Sequence, residues 1–157
     1  MVEIIPYSNE YASVFKVMNL DWLDKYNLTE SHDLHILNDP KGTIIDNGGA
    51  IFLAKSGEEI IGSAAIINEG HGIFELAKMT VIPSFQGKGI SKLLIEKCLA
   101  VATEKQAKKV TLFSNSQLQT AIALYKKYGF KHVDVSDAPF LTADVKMELS
   151  SVASRLN

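Results

Sequence analysis

Cysteine is nearly absent from this 157-residue chain: its one residue, Cys98, cannot close an internal disulfide, so no covalent staple holds the fold. Long apolar runs are missing as well. The longest, such as residues 64–67, fall far short of the ~20 residues a spanning helix needs, which excludes a transmembrane helix. Residues 1–6 lack a basic region followed by a long apolar segment, so no secretory signal is read and the cytoplasm is the expected compartment. Excess positive charge is lacking too. With 16 Lys and Arg against 18 Asp and Glu the formal net charge is −2, which gives no basic field of the kind nucleic acid requires. The four histidines, His32, His35, His71 and His132, have no grouped spacing, and no metal site is read.

What is there is ordinary globular composition, 46% hydrophobic and 22% charged, at a length near that of one domain. Residues 1–150 are expected to form a single domain and 151–157 a frayed tail. The pattern predicts a strand at 2–5, a helix over 9–26 and a short helical segment at 31–37, then a turn-rich stretch through residues 38–49. Strands follow at 50–55, 59–67 and 73–81, joined by hairpins at 56–58 and 70–72. A helix to about 105, a strand at 109–113, a helix at 118–127 and strands at 131–135 and 145–149 complete the order. Antiparallel strands followed by strand, helix, strand, helix, strand predict an α+β fold: a mixed, mostly antiparallel sheet with helices on both faces.

The most informative stretch is the loop after the third of those central strands, Gln86-Gly87-Lys88-Gly89-Ile90-Ser91. It stands between a strand pattern and a helix pattern that spaces Ile90, Leu93, Leu94, Cys98 and Val101. Backbone N–H groups converge at such a helix start, where unpaired donors and about half a positive charge collect, and glycine lets an anion approach the main chain. Two familiar phosphate loops do not fit. No G-x-x-x-x-G-K-[ST] occurs, and a G-x-G-x-x-G begun at Gly87 and Gly89 finds Lys92 at its third glycine.

What remains is Q-x-x-G-x-S, which resembles the acetyl-CoA signature Q/R-x-x-G-x-G/A of the GNAT N-acetyltransferase superfamily, with Ser91 in place of the last glycine or alanine. A second block, Ala121-Ile122-Ala123-Leu124-Tyr125 followed by Gly129-Phe130, is similar to the family's A-I-x-L-Y-x-x-x-G-F, and residues 75–81 are similar to its fourth strand. The resemblance covers roughly residues 50–135. It implies a sheet whose fourth and fifth strands splay, with the pantetheine arm of acetyl-CoA, the cosubstrate, lying in the gap. Met79, Thr80 and Val81 would then carry the pantetheine contacts, those of Met79 and Val81 through the backbone. Gln86, Gly87, Lys88, Gly89, Ile90 and Ser91 would hold the diphosphate, with Lys92 adding charge.

Acetyl transfer to an amine raises two protonation problems. A lysine-like ammonium titrates near ~10.4 and must lose a proton before it attacks, so a base is needed. Glu75, eleven positions before Gln86, is the candidate, acting directly or through water; on pattern alone it is equally a carboxylate on the polar face of a half-buried strand. The departing thiolate needs a proton or a strong hydrogen bond. Tyr125 matches the family tyrosine that faces the sulfur, whereas Leu118, Ile122 and Tyr125 also read as a core stripe. Tyr128 is the better core candidate.

The family often places an asparagine where this chain has Leu118. Asn115, with Ser114 beside it, is the candidate replacement, or else a strand-end and capping residue. Cys98 reads as a buried structural thiol. Trp22, Tyr26, Glu30, Asp33 and His35 fall where the resemblance implies an acceptor pocket, and ordinary helix packing explains the same residues. The function implied is acetyl-CoA-dependent N-acetylation of a primary amine on a small molecule or peptide. A non-catalytic acyl-CoA sensor and a structural subunit stay open beside it, and a homodimer is implied by resemblance alone.

Overall fold

Strand alternation and helical spacing translate into a seven-stranded sheet ordered β1-β2-β3-β4-β5-β7-β6. The computed structural model describes residues 1–136, 138 and 141–150; the tail expected to fray lies outside the described residues. The strands are β1 (Val2–Pro6), β2 (Ala50–Ser56), β3 (Glu59–Gly70), β4 (Ile73–Val81), β5 (Lys109–Ser114), β6 (Lys131–Val133) and β7 (Val145–Ser150). The helices are α1 (Ala12–Lys25), α2 (Ser31–Asn38), α3 (Ile90–Glu104) and α4 (Gln119–Lys127). Every neighbouring pair is antiparallel except β4 with β5, which run parallel. None of the helices, among the described residues, is long and apolar enough to cross a membrane.

The sheet separates two apolar clusters. One face packs Ile61, Phe74, Leu76, Leu94, Leu99, Ile122 and Tyr125 beneath α3 and α4. The other packs Phe15, Met18, Leu37, Ile44, Leu53 and Ile67 beneath α1 and α2. Within α3 the buried stripe is Ile90, Leu94, Ile95, Cys98, Leu99 and Ala102; Leu93, expected on it, is 45% exposed. Within the stretch expected to be turn-rich, at residues 38–42 and 46–49, the chain winds through a π-helical turn, Lys41–Ile45, that buries Ile44.

The end of α4 gives the second sequence block its physical reason. Gly129 takes φ +96°, its N–H bonds the carbonyl of Lys126, and the N–H of Phe130 returns to that of Tyr125. This is the paired-bond termination in which a left-handed glycine closes the helix. It stacks Phe130 edge-on against Tyr125, with ring centroids 5.9 Å apart, so the spacing from tyrosine to glycine and phenylalanine locks the tyrosine ring in place.

Two features of β4 shape the space beside it. Its ladder with β5 comprises Ile73 to Glu75 against Lys109 to Thr111; beyond Glu75 the strands diverge, although β4 runs on to Val81. The register with β3 also shifts between Ser63 and Ala65, where Lys78 bulges out at φ +53°. A bulge reverses the inside-outside phase of a strand. Before it Phe74 and Leu76 face α3, and after it Met79 and Val81 do. The bulge carbonyl, Lys78 C=O, accepts from Ser63 Oγ at 2.7 Å, and Ser63 Oγ accepts in turn from Asn19 Nδ2 at 3.2 Å. Ser63 and Asn19 are both buried.

Ser63→Ala should therefore strand that carbonyl and remove one acceptor from Asn19. A loss of about 1–3 kcal/mol is expected in urea unfolding, with an unchanged m value.

Candidate active site

The divergence of β4 from β5 opens a cleft of about 400 Å³ whose walls come from both faces of the sheet, so residues buried on opposite sides meet in it. From α1 and α2 come Asn19, Trp22, Tyr26 and Asp33; from β4, Glu75 to Val81; from the far side, Leu118, Leu124 and Tyr125. A second groove, lined by Phe85, Gln86, Gly87, Gly89, Lys92 and Lys127 among others, continues outward along α3 and α4 and shares Val81, Gln86, Gly87 and Ser91 with the first. Gln86, Gly87, Gly89, Ile90 and Ser91 of the glycine loop and the residues of β4 thus line one continuous channel, and Lys88 lies outside its lining.

The backbone of β4 is positioned to bind in it. Ile82 donates its N–H to Ile61 on β3, and backbone groups alternate in direction along a strand. Thr80 therefore faces β3, while the N–H and C=O groups of Met79 and Val81 face the gap. At the end of β4 Gln86 Nε2 donates to Val81 C=O at 2.9 Å, so its side chain closes the loop on the strand. Gly87 and Gly89 adopt φ +77° and +80°, and a Cβ on either would meet open space within 4 Å. Their requirement for glycine is conformational, and the cradle above them is open. Gly89 caps α3 with no side chain, leaving the first N–H groups of the helix directed outward. Ile90 is buried and anchors the helix start, whereas Lys88 is exposed with Nζ 5.1 Å from the centroid of Phe85.

Glu75 is 5% exposed. Burial, then the negative charge of Glu69 opposed by Lys78, then a hydrogen bond with Glu69, push its carboxyl up to about 8. On the other side of the gap, burial and the neighbouring Cys98 push Tyr125 up to about 12. Its phenol is protonated throughout the neutral range. Cys98 is fully buried and its thiol is pushed up to about 12 by that burial, so it is no thiolate at neutral pH.

The same cleft is lined by an ion pair that the sequence did not reveal. Lys78 Nζ meets Asp33 Oδ1 at 2.5 Å, with the two side chains 6% and 3% exposed. The other oxygen of Asp33 accepts the N–H of Glu30 at the start of α2. The bulge therefore carries a charge that docks α2 against the cleft. A lysine interrupting the apolar alternation of β4 was the available signal. Asn19, on the buried face of α1, was missed as well; a polar residue within the Phe15, Met18, Trp22 stripe was the clue.

The other expected residues divide between the cleft and its surroundings. Glu30 binds the N–H groups of Leu141 and Thr142, both at 2.8 Å, and so ties α2 to the segment before β7. His35 is exposed and does not line the cleft. Asn115 lines it, but its Nδ2 donates to Thr142 C=O at 2.8 Å and its Oδ1 accepts from the N–H of Gln117 at 3.0 Å; both ends of the amide shape the loop. Trp22 and Tyr26 wall the mouth as a tilted pair with centroids 5.3 Å apart. Tyr128 is half-buried against the α3–α4 cluster, with its hydroxyl donating to Glu96 Oε2 at 2.9 Å.

The model of the acetyltransferase (GNAT) family matches residues 13–130. An uncharacterized N-acetyltransferase of Escherichia coli is 33% identical over 90 residues, which make up 55% of this chain and 54% of the relative; the chain thus spans about half of that relative's length. Among solved structures, a GNAT-family acetyltransferase from Staphylococcus aureus superposes with a TM-score of 0.89 at 20% identity, over 96% of this chain and 99% of that one. A spermidine N-acetyltransferase from Vibrio cholerae, solved with CoA and spermine, gives 0.75 at 20% identity over 99% and 98%. At these identities the structures attest the fold alone.

The elevated carboxyl of Glu75 has a consequence for stability. Its ordinary value is 4.5 and its folded value about 8, so between the two the folded protein keeps a proton that the unfolded chain gives up. The corresponding stabilisation is whole below the ordinary value and is lost as pH rises through about 8. Glu75→Gln keeps a neutral group in place, so its Tm should fall less than that of the unsubstituted protein between about pH 6 and about pH 9. Parallel thermal melts at the two pH values check this, and equal decreases would show that Glu75 does not hold the proton.

Proposed function

Because the chain belongs to the acetyltransferase (GNAT) family, we propose that it moves an acetyl group from acetyl-CoA to a primary amine by direct transfer in a ternary complex. The observation that carries this reading is the splayed pair β4–β5, whose gap faces a stretch of β4 that the ladder with β5 does not reach and opens at one end onto the glycine loop. A strand edge left unpaired in an interior cleft needs a ligand that can take its hydrogen bonds. The two amides of a pantetheine arm meet that need.

The residues present fit this cosubstrate. Backbone groups of Met79 and Val81 would pair with the amides, Thr80 would support them from the β3 side, and the N–H groups from Gly87 to Ser91 would hold the diphosphate at the start of α3. Lys88, Lys92 and Lys127 supply positive charge at the exposed end of the groove. Acetyl-CoA supplies an activated acyl carbon and a sulfur leaving group. Asn115, its amide already engaged, would serve this site by shaping the loop below the cleft.

On the acceptor side Glu75 takes the proton of the incoming ammonium, directly or through water. Its elevated pKa makes it a stronger base than an exposed carboxylate once ionised and narrows the gap to the amine. Tyr125 gives a proton or a hydrogen bond to the departing sulfur, a role suited to a phenol that burial keeps protonated. Trp22 and Tyr26 offer aromatic faces to a cation at the mouth. An amine carried by a small molecule or a peptide satisfies this chemistry, and the described residues that line the cleft fall within the single domain proposed for residues 1–150.

Calorimetric titration with acetyl-CoA followed by thiol release across a panel of amines tests the reading. Saturable binding with amine-dependent release is expected. Binding without release would reduce the chain to an acyl-CoA-binding module, and no binding would overturn the proposal. Tyr125→Phe should lower kcat by roughly 10²-fold while leaving acetyl-CoA affinity within about twofold.

A further inference from the structure

Glu75 shares its hydrogen bond with a second carboxyl, that of Glu69 on β3, and the backbone explains how the two come together. Ile67 stands opposite Glu75, and the β3–β4 register shifts again between Asn68 and Gly70. Glu69 is the extra residue at that irregularity, and it precedes a turn in which Gly70, His71 and Gly72 all take positive φ. A bulge re-aims the side chain it carries, here toward the buried carboxyl on the neighbouring strand. The two groups differ sharply in surroundings. Glu75 is buried and lines the cleft, whereas Glu69 is exposed and does not line it.

Two carboxyls joined by a hydrogen bond must hold a proton between them, because two carboxylates offer acceptors and no donor. The other charged groups acting on Glu75 are Lys78 from its own strand and Asp33 from α2. These two are paired with each other in the buried ion pair that docks α2. Thr111, opposite Glu75 on β5, is neutral, and α1 presents the neutral Asn19 to the same cleft. Of the two other carboxyls acting on Glu75, Asp33 is buried and Glu69 is exposed.

We propose that Glu69 is the outlet through which Glu75 discharges to solvent the proton it takes from the acceptor. The inference rests on the acetyl-transfer reading and extends it. In the resting pair Glu75 carries the proton and Glu69 accepts the hydrogen bond. The Glu75 O–H proton passes to a Glu69 oxygen and from there to water, leaving Glu75 as a carboxylate facing the cleft. An N–H bond of the ammonium then breaks as a Glu75 O–H bond forms, which restores the resting pair and frees the amine lone pair for attack. One proton leaves the ammonium and one reaches water, so the balance closes without any further reagent. Glu69 touches no substrate; it acts through Glu75 by positioning the proton.

Glu69→Ala and Glu69→Gln test this by two measurements on the whole protein. The first follows the Glu75 carboxyl carbon by NMR in protein labelled at glutamate, across about pH 5 to pH 10. Its midpoint should move to lower pH in Glu69→Ala, since both the neighbouring charge and the hydrogen bond are removed. The second is thiol release at low buffer concentration. There kcat should fall about tenfold in Glu69→Ala and recover as imidazole is added, a small base taking over the outlet, while acetyl-CoA affinity stays constant. Glu69→Gln, which keeps a hydrogen-bonding partner but accepts no proton, should show the same buffer dependence, and a merely structural role would not. Turnover in both variants with unchanged midpoint and no response to imidazole overturns the outlet and leaves the transferase reading standing. An unsubstituted protein that binds acetyl-CoA yet releases no thiol with any amine overturns the transferase reading, and the outlet with it.

Discussion

Everything in the site depends on two strands that stop pairing. After Glu75 and Thr111, β4 and β5 separate, and the hydrogen bonds that a continued parallel ladder would have made are left on the backbone of β4. Buried backbone groups without partners are costly, so the gap is stable only because it opens into a water-accessible cleft that a ligand can also fill. The same opening brings the two faces of the sheet into contact. Glu75 lies on the α1–α2 side and Tyr125 on the α3–α4 side, and in a fully paired sheet the strands themselves would stand between them.

The bulge at Lys78 is the second condition. Without it, odd-numbered residues of β4 would keep one face throughout, and Met79 and Val81 would point with Glu75 toward α1 and α2. The reversal lets β4 present a carboxyl to the acceptor side before the bulge and apolar side chains to α3 after it. A lysine at φ +53° has no glycine's freedom, and such a conformation costs of order 1–3 kcal/mol. Its surroundings supply the offset: the bonds from Ser63 to its carbonyl and from its ammonium to Asp33. A buried ion pair gains little net stability against apolar packing. What this one does supply is register, because Asp33 is also the residue that caps α2.

The fold was largely legible because its signals are local. The hairpin turns joining β2, β3 and β4, the amphipathic spacing of α3 and the glycine that ends α4 each act within a few residues. The glycine loop before α3 was legible for the same reason: Gly87 and Gly89 are required by their own backbone angles. The π-helical turn at Lys41–Ile45 was not, since turn-forming residues dominate that stretch and tertiary burial of Ile44 decides its shape. The bulge, the Asp33–Lys78 pair and the Glu69–Glu75 pair escaped because each joins residues whose partnership is set by strand register. The sequence marks the lysine in β4 as an interruption, but nothing local says that the chain turns there or which carboxylate the ammonium meets.

This division also explains why the two halves of the channel differ in clarity. The half proposed for the cosubstrate is backbone and glycine, features that any chain must build in nearly the same way to present N–H groups to a diphosphate. The half proposed for the acceptor is side chains on α1 and α2, held by long-range contacts from Glu30 to residues 141–142 and from Asp33 to Lys78. On the proposed reading the protonation states divide along the same line. Tyr125 keeps its proton chiefly because burial raises its pKa. Glu75 keeps its proton through burial and a second carboxyl placed by a strand irregularity. An acid can be made by exclusion of water, whereas a base that must load and unload with each turnover needs a path to solvent, and on this reading Glu69 at the end of β3 would supply one.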